Sequence, residues 1–169
     1  WIKPTGEIAQ SEAIAVLGNL GWSVFLMCGG TGNMCCGNHT NSSIGFLAQA
    51  STSSSTCENA PSSITAVTRG EWNHIAVTVD NVLKNVSFYI NGVHAGNTIN
   101  ADVGLFNGNA EAMGIGAWTS CPNCSLFMGY MDELRIYNAV VTVESLNTFM
   151  SVAMPAWHPN AKQLLAYYK

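Results

Sequence analysis

Asp132 and Glu133 are the one adjacent pair among the ten acidic residues, and a pair of carboxylates is what glycoside hydrolysis requires. Neighbours along a strand point to opposite faces, so these two cannot flank one sugar ring. Glu7, Glu12, Glu58, Glu71 and Glu111 are isolated in the sequence. The expectation is a protein without enzymatic activity. His74 stands beside Trp72, on the opposite face from Ile75 and Val77, with no acidic or imidazole cluster to make it a base or a metal ligand. It reads as a hydrogen-bonded structural histidine. His39, His94 and His158 fall in polar loops and carry no signal. Cys121-Pro122-Asn123-Cys124 has redox spacing, but a reactive thiol needs a helix N-terminus after a strand, and no such context surrounds it. A structural bridge is expected there, with neither redox activity nor zinc.

The six cysteines, Cys28, Cys35, Cys36, Cys57, Cys121 and Cys124, form an even set in a Ser/Thr/Asn-rich chain, which points to an oxidising compartment and up to three disulfides. Six cysteines allow 15 pairings, and the sequence does not choose among them. Four glycosylation sequons, at Asn38, Asn41, Asn85 and Asn123, point to the same compartment. Charged residues are only 9% of the chain, against about 25% in an ordinary domain. N-linked glycans would supply the hydration that the missing charges do not. With six Lys plus Arg and a net charge of −4, neither nucleic acid nor an anionic membrane is an expected partner. No apolar run is long enough to insert in a membrane. The chain is expected to be secreted, at the cell surface or extracellular.

Short apolar segments between Gly/Asn/Ser turns must position these residues, and they predict an all-β antiparallel sandwich, which the resemblance given below makes one of jelly-roll type. Strands are expected over 22–28, 44–50, 72–79, 86–90, 93–98, 113–117 and 128–137. Asn91-Gly92 is the strongest hairpin signal, because both residues tolerate positive φ. One helix is expected after Thr142 as N-cap, with Glu144 in its first turn and Val143, Leu146, Phe149 and Met150 as its apolar stripe. The tail 163–168 reads as a further strand beyond the natural end of the domain. No internal repeat is visible.

Three segments carry a resemblance. Gly70-Glu71-Trp72-Asn73-His74-Ile75-Ala76-Val77-Thr78, Phe88-Tyr89-Ile90-Asn91-Gly92 and Gly129-Tyr130-Met131-Asp132-Glu133-Leu134-Arg135-Ile136-Tyr137-Asn138 together resemble laminin-G-like domains of the concanavalin A-like lectin/glucanase superfamily. Trp1-Ile2-Lys3-Pro4 is similar to an earlier strand of that family. The resemblance implies a concanavalin A-like sandwich over 1–155, with 156–169 a linker plus strand. It implies Asp132 as the residue carried over for a Ca²⁺ ion, the one candidate cofactor in a chain that requires none. It also implies glycan binding as a family occupation, for which Trp118, Trp157 and Tyr130 are the aromatic candidates.

Leu164-Leu165-Ala166-Tyr167-Tyr168 looks like the strand that opens the family's domain, displaced to the other end. Either the chain is a window cut from a longer protein, or the tail completes a sheet, its own or a neighbour's. A donated strand would assemble copies head to tail. The leading expectation is therefore an extracellular structural or adhesive glycoprotein module, in a filament or repeat array, whose partners are copies of itself or neighbouring domains. A carbohydrate-binding, lectin-like module is the alternative.

Overall fold

The computed structural model describes residues 1–6, 12–17, 21–27, 41–48, 61–99, 113–117 and 125–169. These residues form an all-β antiparallel jelly-roll sandwich with one short helix. One layer has the strand order β5 (Ser62–Ala66), β4 (Ser43–Ala48), β3 (Trp22–Leu26), β2 (Glu12–Leu17) and β9 (Met113–Ile115). Facing it are three smaller groups: β6 (Ile75–Asp80) with β7 (Asn85–Ile90) and β8 (Val93–Ile99), β1 (Ile2–Pro4) with β10 (Gly129–Met131), and β11 (Leu134–Tyr137) with β12 (Leu164–Tyr168). The helix α1 (Val143–Phe149) follows β11, and a single 3-10 turn over Ala161–Gln163 leads into β12. No helix among the described residues is long and apolar enough to cross a membrane.

The core lies between the layers. Ile14, Leu26, Ile44 and Phe46 from the five-stranded sheet meet Ile2, Val86, Phe88 and Ala95 from the other side, all buried. Burying large apolar side chains contributes about 1.5–3 kcal/mol apiece, which makes this contact the main source of stability. Ile75, Val77 and Val79 pack against the same cluster, as alternation along β6 requires. The five-stranded sheet is apolar on its second face too, where Ala13, Phe25, Met27 and Leu47 are buried together. That explains the unbroken run Val24-Phe25-Leu26-Met27. A strand covered on both faces has no reason to alternate.

Hairpin geometry follows the turn chemistry. Asn91 and Gly92 adopt φ of 51° and 77° between β7 and β8, as a type I′ turn demands. The expected strand 128–137 divides in two, because Glu133 takes a φ of 55° and the Asp132 carboxylate accepts its N–H at 2.9 Å. Two strands escaped the sequence reading. Residues 12–17 are short and rich in alanine, a weak strand former, and 62–66 are mostly serine, threonine and alanine with one large apolar residue, Ile64. Helix α1 starts where expected, its N-cap Thr142 accepting the Ser145 N–H at 3.2 Å. Its inner side is set differently from the expected stripe. Val141 and Ser145 are buried, whereas Val143 is exposed.

The tail strand β12 pairs antiparallel with β11 of its own chain, Leu134 opposite Tyr168 and Ile136 opposite Ala166. Glu133 locks the pair from one end, accepting hydrogen bonds from Tyr167 Oη and, at 2.7 Å, from Arg135.

An ion pair between β2 and the loop after β5 was invisible in the sequence, where Glu12 seemed isolated. Glu12 is 2% exposed, meets Arg69 at 3.0 Å, and accepts the Met128 N–H at 3.2 Å. Breaking a buried pair leaves an uncompensated charge. Arg69→Met is expected to destabilise the fold by about 3 kcal/mol in urea unfolding, and adding Glu12→Gln should recover at least half of that. A neutral effect of Arg69→Met would show that the pair contributes nothing.

Candidate functional site

Strand β1 is three residues long, yet it is held on both edges. Ile2 pairs with Met131 on one side and bridges Asn73 on the other, Ile2 N–H donating to Asn73 O at 2.9 Å and Asn73 N–H to Ile2 O at 2.7 Å. Ile2 and Pro4 point inward and are buried, so Lys3 points outward. Lys3 lies opposite Tyr130 on β10, and by the same register it faces Trp72, the neighbour of Asn73. Tyr130 is 63% exposed and Trp72 45%. The result is a transverse row on the outer surface: aromatic ring, ammonium, aromatic ring. With strands about 4.8 Å apart, the two rings stand roughly 10 Å from each other with Lys3 between them.

The row is braced from beneath. Asn73, 2% exposed, donates its Nδ2 to Thr68 O at 2.8 Å and Glu71 O at 2.9 Å, and its Oδ1 accepts the Thr68 N–H at 3.1 Å. One buried amide thus fixes the loop that presents Trp72. On the other flank Arg69 donates to the carbonyls of Thr5 and Gly6, both at 2.7 Å, fixing the chain as it leaves β1. Gly129 lets β10 approach β1 closely, since a Cβ there would collide with the Lys3 carbonyl. Above the row, Trp1 donates its indole N–H to Met150 O at 2.7 Å, and its ring meets His74 edge-on at 5.4 Å, so the C-terminal end of α1 walls one side.

Of the aromatic residues anticipated for ligand contact, Tyr130 belongs to this row. Trp157 is 75% exposed but sits apart, its ring edge-on to Phe149 at 5.6 Å. Trp118 lies outside the described residues, as do Asn38, Asn123 and the six cysteines. Lys3 and Trp72 were not anticipated. The alternation that puts Ile75 inward already puts Trp72 on the outer face with His74, but only the pairing of β1 brings Lys3 between the rings. Asn41 is exposed in the turn that precedes β4. Asn85 opens β7 and donates to Ser87 Oγ at 3.1 Å.

Asp132 is exposed, and one of its carboxylate oxygens accepts the Glu133 N–H. Among the described residues no group of three His, Cys, Asp or Glu gathers around it or elsewhere. Calcium takes six or more oxygens, of which the Asp132 carboxylate would supply one or two. Glu133 is committed to Arg135 and Tyr167. Burial pushes its carboxyl up, but those hydrogen bonds outweigh it and hold the group below the usual carboxylate range. His94 is exposed with its ring against Tyr89. His158 is not a surface loop residue: it is buried against Phe149 at 4.2 Å and Tyr137 at 6.4 Å.

A family model described as the concanavalin A-like lectin/glucanases superfamily matches residues 1–147. No curated protein matches the sequence. Among solved structures, a Bacteroides ovatus protein proposed to bind carbohydrate is similar at 18% identity and a TM-score of 0.71 over 99% of this chain and 43% of its own. A heptameric SAP-like pentraxin from Limulus polyphemus is similar at 16% identity and a TM-score of 0.58 over 89% of this chain and 66% of its own. The chain thus spans less than two thirds of either protein.

Burial pushes the His74 imidazole down to about 4, assisted by the terminal ammonium and Arg135. Below the ordinary value of 6.5 the unfolded chain takes up a proton that the folded chain refuses until about 4, so stability falls as the pH drops through that window. His158, lowered by burial and Arg135, acts with the same sign. Unfolding free energy is expected to fall by roughly 2 kcal/mol from His74 between these limits, allowing for the solvent that reaches the ring. His74→Gln should flatten the slope measured by urea unfolding from pH 6.5 to 4.5. An unchanged slope would assign the acid sensitivity to other groups.

Proposed function

This chain belongs to the concanavalin A-like lectin/glucanases superfamily, and on that premise we propose that it is a non-catalytic carbohydrate-binding module of an extracellular glycoprotein. The observation that carries this reading is the outward row Tyr130–Lys3–Trp72. Aromatic faces stack on the C–H faces of pyranose rings, and an ammonium between them donates to ring hydroxyls or to a sugar carboxylate. Because the row crosses three adjacent backbone segments, it suits an extended oligosaccharide lying across the strands better than a single sugar in a cavity. The braces at Asn73 and Arg69 hold the rings in place before binding, which lowers the ordering cost of recognition. The similarity to a protein proposed to bind carbohydrate agrees with this reading at the level of the fold. Absence of catalysis rests on the carboxylates: Glu12 is buried in an ion pair, Glu133 is bound to Arg135 and Tyr167, and Asp132 caps a turn.

A structural or adhesive role is the second reading. Ile64, Val82, Leu83, Val93 and Ile99 are exposed apolar side chains on a chain with only 9% charged residues, which favours a surface covered by neighbours or glycans. The tail strand is used within the chain, so this reading now rests on the apolar surface and not on strand donation.

Binding to a glycan array should be detectable for the parent chain, and Trp72→Ala or Tyr130→Ala should each weaken it about tenfold, the equivalent of about 1.4 kcal/mol for a lost ring contact. Near-UV circular dichroism checks that both variants keep the fold. Glycan binding that survives both substitutions would move the site elsewhere. Concentration-dependent association in sedimentation velocity, with no glycan bound, would instead favour the structural reading.

A further inference from the structure

Of the six lysines and arginines, Arg69, Arg135 and Lys169 are already engaged. Arg69 holds the Glu12 carboxylate, Arg135 holds Glu133, and the Lys169 ammonium stands 5.3 Å from the centre of the Tyr167 ring. Lys84 lies in the turn between β6 and β7, and Lys162 in the 3-10 turn before β12. Lys3 is the cation of the outer row, and it is uncommitted. Among the described residues its ammonium meets no carboxylate, the ion pairs there being those of Arg69 and Arg135. It also lies over neither neighbouring ring, since the cation–π contacts among the described residues both use Tyr167.

The pairing pattern sets how the two rings flank it. Ile2 and Asn73 exchange both backbone hydrogen bonds, so Lys3 and Trp72, one position along, form a non-hydrogen-bonded pair, in which side chains approach most closely. On the other side Trp1 and Asp132 exchange theirs, at 2.8 and 3.0 Å. By alternation Lys3 and Tyr130 are a hydrogen-bonded pair, set slightly wider. Lys3 is half-buried, its stem between the rings and its head outward. Rings on both flanks displace water beside the ammonium, so an anion arriving there is attracted more strongly than by an open lysine. Asp132 and Glu71 are the acidic residues nearest the row in sequence, and neither pairs with Lys3. One Asp132 oxygen is already taken by the Glu133 N–H at 2.9 Å.

Taking the row as a glycan site, we propose that it selects acidic oligosaccharides, in which the sugar residue lying between the two stacked ones carries a carboxylate or sulfate bound by Lys3. The two rings stand two strand spacings apart, roughly 10 Å. In a flat β-1,4-linked chain that span is two sugar residues, and residues i and i+2 present the same face. Those two stack on Trp72 and Tyr130, and residue i+1 falls over Lys3. A lysine ammonium is a compact charge with three rotatable donors, so it takes either acid without demanding the planar bidentate geometry of a guanidinium. Trp1 also lines a cavity of about 640 Å³ between β6 and β11, but Lys3, Trp72 and Tyr130 do not. The ligand therefore lies along the surface and can continue past either ring. The net charge of −4 gives no long-range attraction for a polyanion, so the selectivity is local to the residue over Lys3.

The test compares three ligands by calorimetry: the β-1,4-linked glucuronate hexasaccharide, cellohexaose, which is its carboxyl-reduced form, and 6-O-sulfated cellohexaose. The parent chain should bind at least one acidic ligand about fivefold tighter than cellohexaose at low salt, and the gap should close near 0.5 M salt. Which acidic ligand gains more tells carboxylate from sulfate. Lys3→Gln should abolish the preference while changing cellohexaose affinity less than about twofold, and Lys3→Arg should keep it. Cellohexaose bound as tightly as both acidic ligands would overturn the acid selectivity and leave the glycan site standing. An acid preference that survives Lys3→Gln would do the same for the role of Lys3. Binding of none of the three by the folded parent would also overturn the selectivity, while the glycan array decides separately whether the row binds sugar at all.

Discussion

Ile2 is joined by backbone hydrogen bonds to Asn73 on one side and paired with Met131 on the other, and much of the molecule depends on that double pairing. A strand of three residues has too few contacts to persist alone. It persists because Ile2 is buried in the central cluster and Pro4 points inward beside it, while both edges are satisfied. This one short strand brings the loop before β6 next to the segment before β11. It therefore determines where Trp72 and Tyr130 stand and how Lys3 enters between them.

Polar groups do most of the positioning around it. Asn73 is buried and uses both ends of its amide on its own loop, a small network in which every contact has a partner. Arg69 spans the Glu12 carboxylate and two carbonyls beyond β1, linking the first strand of the large sheet to the outer row. At the far end Arg135 ties Glu133 to the carbonyls of Phe149 and Val152 at 3.0 and 2.5 Å, so the helix and the tail strand share one cation. A chain so poor in charge has placed several of its few charges where they hold elements together and do not face a reacting centre. That distribution is what a rigid binding or scaffolding module needs.

The cavity and the outer row lie on either side of Trp1. The row is flat, exposed and aromatic, the surface chemistry of sugar recognition. The cavity, about 640 Å³, is bounded by β6 on one side and β11 on the other.

The sequence by itself determined the fold class, the Asn91-Gly92 hairpin, the Thr142 cap and most strands, because each is encoded over a few residues by alternation, turn chemistry or a cap. It also carried the family, through three segments whose order is local and linear. Strands 12–17 and 62–66 were illegible because one is short and alanine-rich and the other is written mostly in serine, threonine and alanine. The division of 128–137 needed the positive φ of Glu133, which no pattern announces. Tertiary structure alone decided that Glu12 finds Arg69, that His158 is buried, that the tail pairs with β11, and that Lys3 lies between Trp72 and Tyr130. The ion pair, the tail pairing and the outer row join residues at least 27 positions apart, and only pairing registers and burial bring them together.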